Sequence, residues 1–302
     1  MTRVGFIGIG TMGRPMASRL LAAGHEVIAC DVDPRRAEAL GTHIAGTPGE
    51  AAEGAAVVIT SLPSPEAVED VVLGPGGVAS AASRGALLLE MSTSPPALAR
   101  RLAARLEGRL DVLDAPVSGG PQGAEAGTLT VMVGGPAATF ARAEPLLRAL
   151  GRHVVHVGDH GAGQAAKLCN NLVAGTTMAA LGEACAIAVR EGLDPATLYA
   201  LLTASTGDSR VLRTRYPLAG ADAAHPASGE YAPLFALDLI EKDLALALRL
   251  AAEHGVEAPV AAAARTAYQA AQEAGLGGLD YSAVYLVPSR GRVPEERSAK
   301  PE

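Results

Sequence analysis

Lys167 and Asn171 are the two side chains of this sequence best placed to bind one polar ligand together. They belong to a long helical stretch, beginning near Gly161, that is otherwise made mostly of Ala, Leu, Val and Gly. Residues four apart lie on one face of a helix, and preceding glycines let other backbone approach closely. We therefore expect an ammonium and a carboxamide to contact the same ligand, at a seam between two domains.

A glycine-rich turn near the N-terminus has the spacing of a dinucleotide-binding motif. The turn Gly8-Ile9-Gly10-Thr11-Met12-Gly13 follows the apolar run 4–7 and precedes residues with helical spacing. In such a motif the first glycine permits a tight turn, the second leaves room for a pyrophosphate, and the third lets helix and strand pack closely. The free N–H groups at the start of the helix then bind phosphate.

A carboxylate after the second strand bears on the choice of dinucleotide. Asp31 lies 18 residues beyond Gly13, where a carboxylate accepts hydrogen bonds from both ribose hydroxyls. Asp31 and Asp33 would repel a 2′-phosphate by charge. Arg35 and Arg36 would offset part of that repulsion. The segment therefore predicts NAD rather than NADP.

Two more turns follow apolar runs and are candidates for the same site. Leu62 and Pro63 come after the run 57–59, and Thr93 comes after the run 86–89. Such turns fall at the carboxyl ends of strands, where open α/β sheets bind ligands. Ser64 and Ser94, each directly before a proline, are interpreted instead as N-cap turns.

Ser118, Gly119 and Gly120 form a third kind of candidate site. Two glycine N–H groups beside a serine hydroxyl make an uncharged anion cradle suited to a carboxylate. Taken alone, the motif fits a tight turn equally well. No Cys or His spacing in the sequence predicts a metal site.

The elements that must position these residues change character along the chain. Apolar runs alternate with helical segments over the first half, which predicts an α/β domain with a parallel sheet. From residue 164 to 191 no proline occurs, and at ~1.5 Å per residue a helix there would be ~40 Å long. We interpret it as a spine joining two domains. Its small buried face is predicted to comprise Leu168, Leu172, Gly175, Ala179, Gly182, Ala186 and Val189.

This pattern predicts a cofactor domain over residues 1–163 and a mostly helical second domain over residues 164–290. The tail 291–302 is charged and interrupted by prolines, so we expect it to be disordered. A loop over residues 206–233, rich in Gly, Ala, Pro, Ser and Asp, interrupts the second domain. Loops of that length tend to be functional or mobile.

Composition excludes several classes of protein. The 302 residues carry a net charge of −7 and show no basic stripe with aromatic residues, which argues against nucleic acid as a partner. Three cysteines without a paired spacing indicate a reducing compartment. Neither a signal peptide nor a membrane span is expected, because no stretch of ~20 residues lacks charged or amide groups.

Together these residues resemble the β-hydroxyacid dehydrogenase family, the 3-hydroxyisobutyrate dehydrogenase-like enzymes. The resemblance extends over nearly the whole chain and implies a Rossmann-type domain, then an all-α domain that often dimerises through the spine helix. It also implies a small carboxylate substrate and a cytoplasmic homodimer or homotetramer. The resemblance rests on five ordered blocks: Gly5-Phe6-Ile7-Gly8-Ile9-Gly10-Thr11-Met12-Gly13, Met91-Ser92-Thr93, Asp114-Ala115-Pro116-Val117-Ser118-Gly119-Gly120, residues 161–171, and Lys242-Asp243-Leu244.

The resemblance also implies a role for individual residues. Lys167 would be the general acid and base, Asn171 a substrate ligand, and residues 118–120 the carboxylate cradle. Glu90 stands where the family commonly has Asp. Asn170 stands where the related 6-phosphogluconate dehydrogenases have His, which argues against a sugar-phosphate substrate. The implied cofactor contacts are Gly8, Gly10, Thr11, Met12, Gly13, Asp31, Leu62, Pro63, Thr93 and Lys242.

The chemistry implied by the family agrees with the residues present. Hydride leaves the carbinol carbon for a nicotinamide while the hydroxyl loses a proton, and a lysine whose pKa burial lowers toward neutrality can take that proton. No metal is needed. We expect the positioned base and the proximity of the reactants to supply most of the rate acceleration.

Two alternatives stay open. One is an NADPH-dependent semialdehyde or imine reductase of the same superfamily, in whose members an Asn-Arg pair often replaces Asp31 and Val32. The other is a non-catalytic dinucleotide-binding protein. If the substrate is a β-hydroxyacid, as favoured above, Arg210 or Arg213 is a candidate to bind a second anionic group of that substrate. The competing interpretation is that these arginines are solvated on the face of a helix.

Overall fold

The computed structural model describes residues 1–289, so the predicted tail 291–302 lies outside the described residues. Contacts divide the chain into two compact units, Met1–Asn170 and a second unit that begins at Asn171. The division falls within one long helix, seven residues beyond the boundary of 163 expected from the sequence.

The first unit is built on a nine-stranded, mostly parallel sheet with the order β3-β2-β1-β4-β5-β6-β8-β7, in which β9 pairs with β8. The pairs β6 with β8 and β7 with β8 are antiparallel. This confirms the predicted α/β class and adds an antiparallel part to the parallel sheet that the sequence predicted. The strands are β1 Arg3–Ile7, β2 Glu26–Cys30, β3 His43–Ile44, β4 Val57–Thr60, β5 Leu87–Glu90, β6 Asp111–Asp114, β7 Val117–Ser118, β8 Leu129–Gly134 and β9 Gly151–Gly158.

The central strands are buried along their length because helices cover both faces of the sheet, and β4 and β5 are apolar except at their last residues, Thr60 and Glu90. All four residues of β4 and all four of β5 are buried, as is typical of parallel strands in doubly wound folds. Two separate apolar cores result, one on each face. The helices of this unit are α1 Gly13–Ala22, α2 Pro34–Glu38, α3 Pro48–Ala52, α4 Pro65–Leu73, α5 Val78–Ala81, α6 Pro96–Leu106, α7 Gly120–Ala126 and α8 Ala137–Leu150.

The long helix α9, Ala162–Arg190, has 29 residues and passes from the first unit into the second. It begins two residues earlier than predicted and ends one residue earlier. Five of the seven residues predicted for its buried face are buried, whereas Leu172 is half-buried and Val189 is exposed. Gly192, with φ of 81°, follows its end, where a left-handed residue commonly terminates a helix.

The second unit is helical and has a core of its own. The predicted loop 206–233 is not a loop throughout, since it contains the short helix Arg210–Arg215, capped by Ser209, and a 3₁₀ turn at Pro226–Gly229. A second 3₁₀ turn spans Tyr281–Tyr285. The helices are α10 Pro195–Thr203, α11 Arg210–Arg215, α12 Leu237–Glu253, α13 Pro259–Glu273 and α14 Leu286–Ser289.

Helix α9 is also long and apolar enough to cross a membrane by length and composition alone, the one such helix among residues 1–289. Met178, Leu181 and Cys185 on this helix are buried in the core of the second unit. Packing within the protein therefore accounts for part of the hydropathy of α9, whereas Val173 and Ile187 on the same helix are exposed.

Candidate functional site

The glycine turn between β1 and α1 has three glycines in three different environments. Gly8 has φ of 95°, and a Cβ there would lie 2.2 Å from the carbonyl oxygen of Ser61. A Cβ on Gly13 would lie 1.8 Å from the carbonyl oxygen of Gly8. A Cβ on Gly10 would meet nothing closer than Nη1 of Arg36, at 4.0 Å. The turn is thus tight at Gly8, closely packed at Gly13 and open at Gly10, which fits a pyrophosphate over the start of α1.

Asp31 fastens the end of β2 to this turn. Its Oδ2 accepts a hydrogen bond from the N–H of Ile9 at 2.7 Å, and its Oδ1 accepts one from the N–H of Asp33 at 2.9 Å. The Asp31 side chain is 5% exposed. A carboxylate has about four acceptor positions, so Asp31 retains capacity to accept from ribose hydroxyls.

The charges around Asp31 form a compact cluster. Arg35 pairs with Asp33 through Nε and Nη2, each at 2.9 Å, and this hydrogen bonding lowers the pKa of the partly exposed Asp33 carboxyl. Nη1 of Arg36 lies 3.8 Å from Oδ1 of Asp31. Nε of Arg36 also lies 3.9 Å from Oδ2 of Asp33, so Arg36 approaches both aspartates as well as Gly10.

The turns after β4 and β5 are joined by Ser92. Its Oγ accepts a hydrogen bond from the N–H of Leu62 at 2.9 Å. Pro63 is exposed, and Thr93 is half-buried beside Ser92. Both turns lie at the carboxyl edge of the sheet, as does the glycine turn. The order reverses between β1 and β4, and in such folds the ligand crevice lies at this reversal.

Behind these turns, Glu90 and Asp114 are buried, with 1% and 0% exposure. Oδ1 and Oδ2 of Asp114 accept hydrogen bonds from the N–H groups of Gly161 and Gln164 at 2.8 and 2.9 Å. Asp114 therefore binds the first turn of α9, where a helix favours negative charge. A Cβ on Gly163 would lie 2.4 Å from the carbonyl oxygen of Met132, so only glycine fits there.

Glu90 accepts hydrogen bonds from the N–H of Ser92 at 2.8 Å and from Nε2 of Gln164 at 2.7 Å. Burial raises its pKa to about 7, and the charge of Asp114 adds to this increase, whereas hydrogen bonds from Ser92 and Gln164 oppose it. Glu90, which stands where the family commonly has Asp, is not among the site residues predicted from the sequence.

The predicted carboxylate cradle lies where β7 ends and α7 begins. Ser118 pairs with Thr130 of β8, and Gly119 and Gly120 have φ of 139° and 66°. A Cβ on Gly119 would lie 3.0 Å from Cδ2 of Leu129. All three residues are partly exposed, so this turn, at the antiparallel end of the sheet, is accessible from solvent.

Lys167 and Asn171 lie one turn apart on α9 and are both buried, with 8% and 4% exposure. In the second unit, Nδ2 of Asn171 donates to Oδ2 of Asp243 at 2.6 Å. Nζ of Lys242 lies 2.9 Å from Oδ1 of the same carboxylate. Because a carboxylate only accepts hydrogen bonds, the end of the Asn171 amide that faces Asp243 is Nδ2.

Asp243, Asp114 and Gln164 were missed as functional candidates in the sequence. Asp243 lies inside the family block Lys242-Asp243-Leu244, so membership in this block was the signal that could have found it. Asp114 likewise opens a family block, and Gln164 lies one helical turn before Lys167. Their roles depend on partners that are 47 to 74 positions distant in sequence.

The two arginines considered for a second anion, Arg210 and Arg213, differ in their surroundings. Arg213 binds Asp208 through Nε and Nη2 at 2.7 and 2.9 Å, and Arg210 is exposed. Arg215 lies 3.5 Å from Asp280 and over the ring of Tyr281. Among residues 1–289, no group of His, Cys, Asp and Glu side chains has the arrangement of a metal site.

Two family models match the chain. Residues 3–158 match the NAD binding domain of 6-phosphogluconate dehydrogenase. Residues 161–287 match a model described as NAD-binding of NADP-dependent 3-hydroxyisobutyrate dehydrogenase. Together the two models extend over both units.

Individual proteins match over most of their length. The chain is 43% identical to 3-hydroxyisobutyrate dehydrogenase of Pseudomonas aeruginosa, over 94% of this chain and 97% of that protein. It is 40% identical to 2-(hydroxymethyl)glutarate dehydrogenase of Eubacterium barkeri, over 94% of both. A solved structure of Mycobacterium tuberculosis 3-hydroxyisobutyrate dehydrogenase with L-serine matches with a TM-score of 0.86 and 38% identity, covering 95% of this chain and 99% of that one.

Proposed function

Because the chain belongs to the β-hydroxyacid dehydrogenase family and is an NAD(P)-binding dehydrogenase of hydroxyl groups, we propose that it oxidises a small β-hydroxyacid with NAD. The product is the semialdehyde or ketone, and the reverse reaction uses the same site. The observation that carries the proposal is the buried Lys167, one helical turn from the buried Asn171.

Lys167 is proposed as the general acid and base. In oxidation its amine removes the proton of the substrate hydroxyl, and in reduction its ammonium returns that proton. Bound NAD supplies the acceptor for the hydride that leaves the carbinol carbon. Asn171 orients the substrate through its side-chain amide, whose Nδ2 is held by Asp243. Ser118, Gly119 and Gly120 are proposed to bind the substrate carboxylate.

A 3-hydroxyisobutyrate-like acid is the proposed substrate. 3-Hydroxyisobutyrate, L-serine and 2-(hydroxymethyl)glutarate, which appear in the names of the similar proteins, all carry a primary hydroxyl β to a carboxylate. They differ in the group on the carbon between the two. A lysine base and a carboxylate cradle would recognise the shared hydroxyl and carboxylate. The substituent on the carbon between them is therefore the part of the substrate that remains to be tested.

NAD is the proposed cofactor because the buried carboxylate of Asp31 lies against the glycine turn, where it would accept from ribose hydroxyls and repel a 2′-phosphate. Arg36, 3.8 Å from Asp31, is the residue that would favour NADP instead. The proposed cofactor contacts remain Gly8, Gly10, Thr11, Met12, Gly13, Asp31, Leu62, Pro63, Thr93 and Lys242.

The protein is further proposed to be a soluble, cytoplasmic homodimer or homotetramer. The apolar side chains Val173 and Ile187 on α9 are 63% and 65% exposed, and burial of such side chains against another copy is favourable. Light scattering on the purified protein measures the oligomeric state directly.

The deciding experiment measures nicotinamide absorbance with NAD and NADP over a panel of β-hydroxyacids in which only the middle substituent changes: methyl, ammonium and carboxyethyl. We expect the highest kcat/KM for the methyl compound with NAD. Oxidation of none of them, with NADPH-dependent reduction of a semialdehyde or an imine, would favour the reductase alternative. Cofactor binding without turnover of any of these would favour the non-catalytic alternative.

A further inference from the structure

The last register row of the sheet carries three polar side chains on one face. Thr60 pairs with Glu90, and Glu90 pairs with Asp114. Residues in register on neighbouring parallel strands point to the same face. All three are at most 1% exposed. Two carboxyl groups therefore lie on adjacent strands away from water, which is costly unless each has hydrogen-bond partners.

The two carboxyls are held in different ways. Asp114 binds two backbone N–H groups at the start of α9, where the helix dipole stabilises a negative charge. Glu90 receives hydrogen bonds from the N–H and the side chain of Ser92 and from Nε2 of Gln164. All of these partners donate to Glu90. A proton on Glu90 would need an acceptor and would displace at least one donor.

The hydrogen bonds of Glu90 continue into the segments that carry candidate site residues. Nε2 of Gln164 also donates to the carbonyl oxygen of Ser92 at 2.8 Å, and its Oε1 accepts from the N–H of Ser94 at 2.9 Å. Ser92 Oγ accepts from the N–H of Leu62 at 2.9 Å. One buried network thus joins the turn after β4, the turn after β5 and the first turn of α9.

We propose that Glu90 is a positioning residue for the reaction, and that its carboxylate, acting through Gln164 and Ser92, holds the first turn of α9 against the turn after β5. Lys167 is three residues beyond Gln164, and Thr93 lies between Ser92 and Ser94. Protonation of Glu90 loosens this connection and displaces both residues. The kinetic part of this inference rests on the proposed function, whereas the structural part does not.

The surroundings of Glu90 favour its neutral form more than those of an ordinary glutamate. Its pKa is raised to about 7, first by burial and then by the charge of Asp114 on β6. Thr60 on β4 offers only a hydroxyl, and α9 offers the Gln164 amide and then Lys167. On α6, Nη1 of Arg100 lies 2.8 Å from where a Cβ added to Gly161 would be. The N–H of Gly161 is one of the two donors to Asp114. Loss of the carboxylate, and of turnover, is therefore expected as pH falls through about 7.

The test compares Glu90→Gln and Glu90→Asp with the parent and with Thr60→Val as matched control. Thr60 is buried in the same row, and its Oγ1 has no hydrogen-bond partner, so the control removes a polar group without breaking the network. Glu90→Gln keeps the size but cannot ionise. Glu90→Asp keeps a carboxylate.

For Glu90→Gln we expect kcat at pH 8 to fall by about tenfold to a hundredfold, the usual result of displacing a reacting group slightly. Lys167 as general base also gives the kcat profile an acid limb, so loss of the Glu90 ionisation should make that limb less steep and should not remove it. The amides of Ser92, Ser94 and Gln164 should exchange hydrogen faster than the rest of the sheet. Glu90→Asp should keep the steeper limb, and Thr60→Val should match the parent. A Glu90→Gln enzyme with the parent's kcat and acid limb, or a Thr60→Val enzyme with equal losses, would overturn the proposal.

If Glu90→Gln does not fold, titration of the parent decides, with Glu90→Asp used to assign the signal. With carbon-13 in the glutamate carboxyls, one signal should titrate near pH 7, together with the amide shifts of Ser92 and Gln164, and it should be missing in Glu90→Asp. Titration of every glutamate in the usual acidic range, or amides that do not respond, would overturn the inference. Failure to oxidise any hydroxyacid would instead reject the proposed function and leave these readouts valid.

Discussion

Removal of the Lys167 side chain tests the proton transfer at the scale of one residue. We expect Lys167→Ala to fold and to bind NADH, because the glycine turn and Asp31 are unchanged. Turnover should fall by about 10²–10⁴, the usual contribution of a positioned acid or base. Activity is followed by nicotinamide absorbance and binding by NADH fluorescence. Activity within about tenfold of the parent would remove Lys167 from the mechanism.

Asp31 and Arg36 act in opposite directions on the cofactor preference. Asp31→Ala should weaken NAD binding and narrow the ratio of kcat/KM for NAD over NADP, since a carboxylate that accepts from the ribose and repels a 2′-phosphate is lost. Arg36→Ala should widen the ratio, because the cation nearest to Asp31 is removed. Steady-state kinetics with both dinucleotides measure the change. A parent enzyme that prefers NADP would contradict the assignment to Asp31.

Asp243 is expected to matter although it is not proposed to touch the substrate. Asp243→Asn loses the charge facing Lys242 and places an amide where Asn171 now donates. Since hydrogen bonds to charged groups contribute about 1.5–3 kcal/mol, kcat/KM for the hydroxyacid should fall about tenfold to a hundredfold. Asp238→Asn, on the same helix but exposed and bound to Gln272, is the control. Equal kcat/KM in the two variants would show that the hydrogen bond to Asp243 does not support the role of Asn171.

At the scale of elements, the position of α9 depends on close backbone packing at its start. A methyl group on Gly163 would lie 2.4 Å from the Met132 carbonyl oxygen and 2.7 Å from that of Asp114. Backbone cannot move aside as a flexible side chain can, so Gly163→Ala should lower the free energy of unfolding by about 1–3 kcal/mol. Gly278→Ala, where a Cβ meets nothing within 4 Å, should change it by less than about 0.5 kcal/mol. Urea unfolding of the two variants gives the comparison, and equal values would refute this account of α9.

The helix boundaries show which element signals in the sequence were reliable. Ser64 caps α4 by accepting from the N–H of Ala67 at 3.2 Å, so the N-cap prediction is confirmed there. The same prediction is wrong for Ser94, because α6 begins at Pro96 with Pro95 as its N-cap. The N–H of Ser94 instead donates to Gln164 at 2.9 Å. The two serines differ locally, since Ser64 precedes one proline and Ser94 precedes two, and α6 begins at the second of these.

For the whole molecule, Glu90 should make stability depend on pH. Its pKa is raised from an ordinary value of 4.5 to about 7, so the folded protein binds this proton more tightly than the unfolded chain does. The stability contributed by neutral Glu90 is fully present below pH 4.5 and is lost as pH rises through about 7. The free energy of unfolding of the parent should therefore decrease over this window relative to Glu90→Gln. Urea unfolding at several pH values measures the difference, and parallel curves would contradict it.

Neutral Glu90 thus makes the folded protein more stable, whereas the carboxylate is the form proposed to position Lys167. The neutral acid suits the buried site, whereas the carboxylate satisfies the donors of Ser92 and Gln164. Functional sites commonly retain groups that lower stability. A stability maximum below neutral pH together with an activity maximum above it would be the signature of this arrangement.

The sequence by itself determined the α/β class, the glycine turn, the long helix and the family. These features are local, since a period of apolar residues, a glycine spacing or a run without proline is visible within one segment. The environments of Gly8, Gly10 and Gly13 agree with the roles given to them from spacing alone. The spacing indicated that Lys167 and Asn171 contact one ligand and that Ser118 belongs to an anion cradle, whereas their roles in the reaction came from the resemblance. All of these stay predictions.

Only the tertiary structure revealed the contacts of Glu90, Asp114 and Asp243. Glu90 meets Gln164 across 74 positions, Asp114 meets it across 50, and Asp243 meets Asn171 across 72. Each of these carboxylates also lies in or beside an apolar run, where the residue type alone does not indicate whether the side chain has a protein partner or faces solvent. Strand register and helix packing bring the partners together, and no local pattern encodes either. Burial then sets the charge state of Glu90, because the cost of ionisation depends on how much water the folded chain excludes.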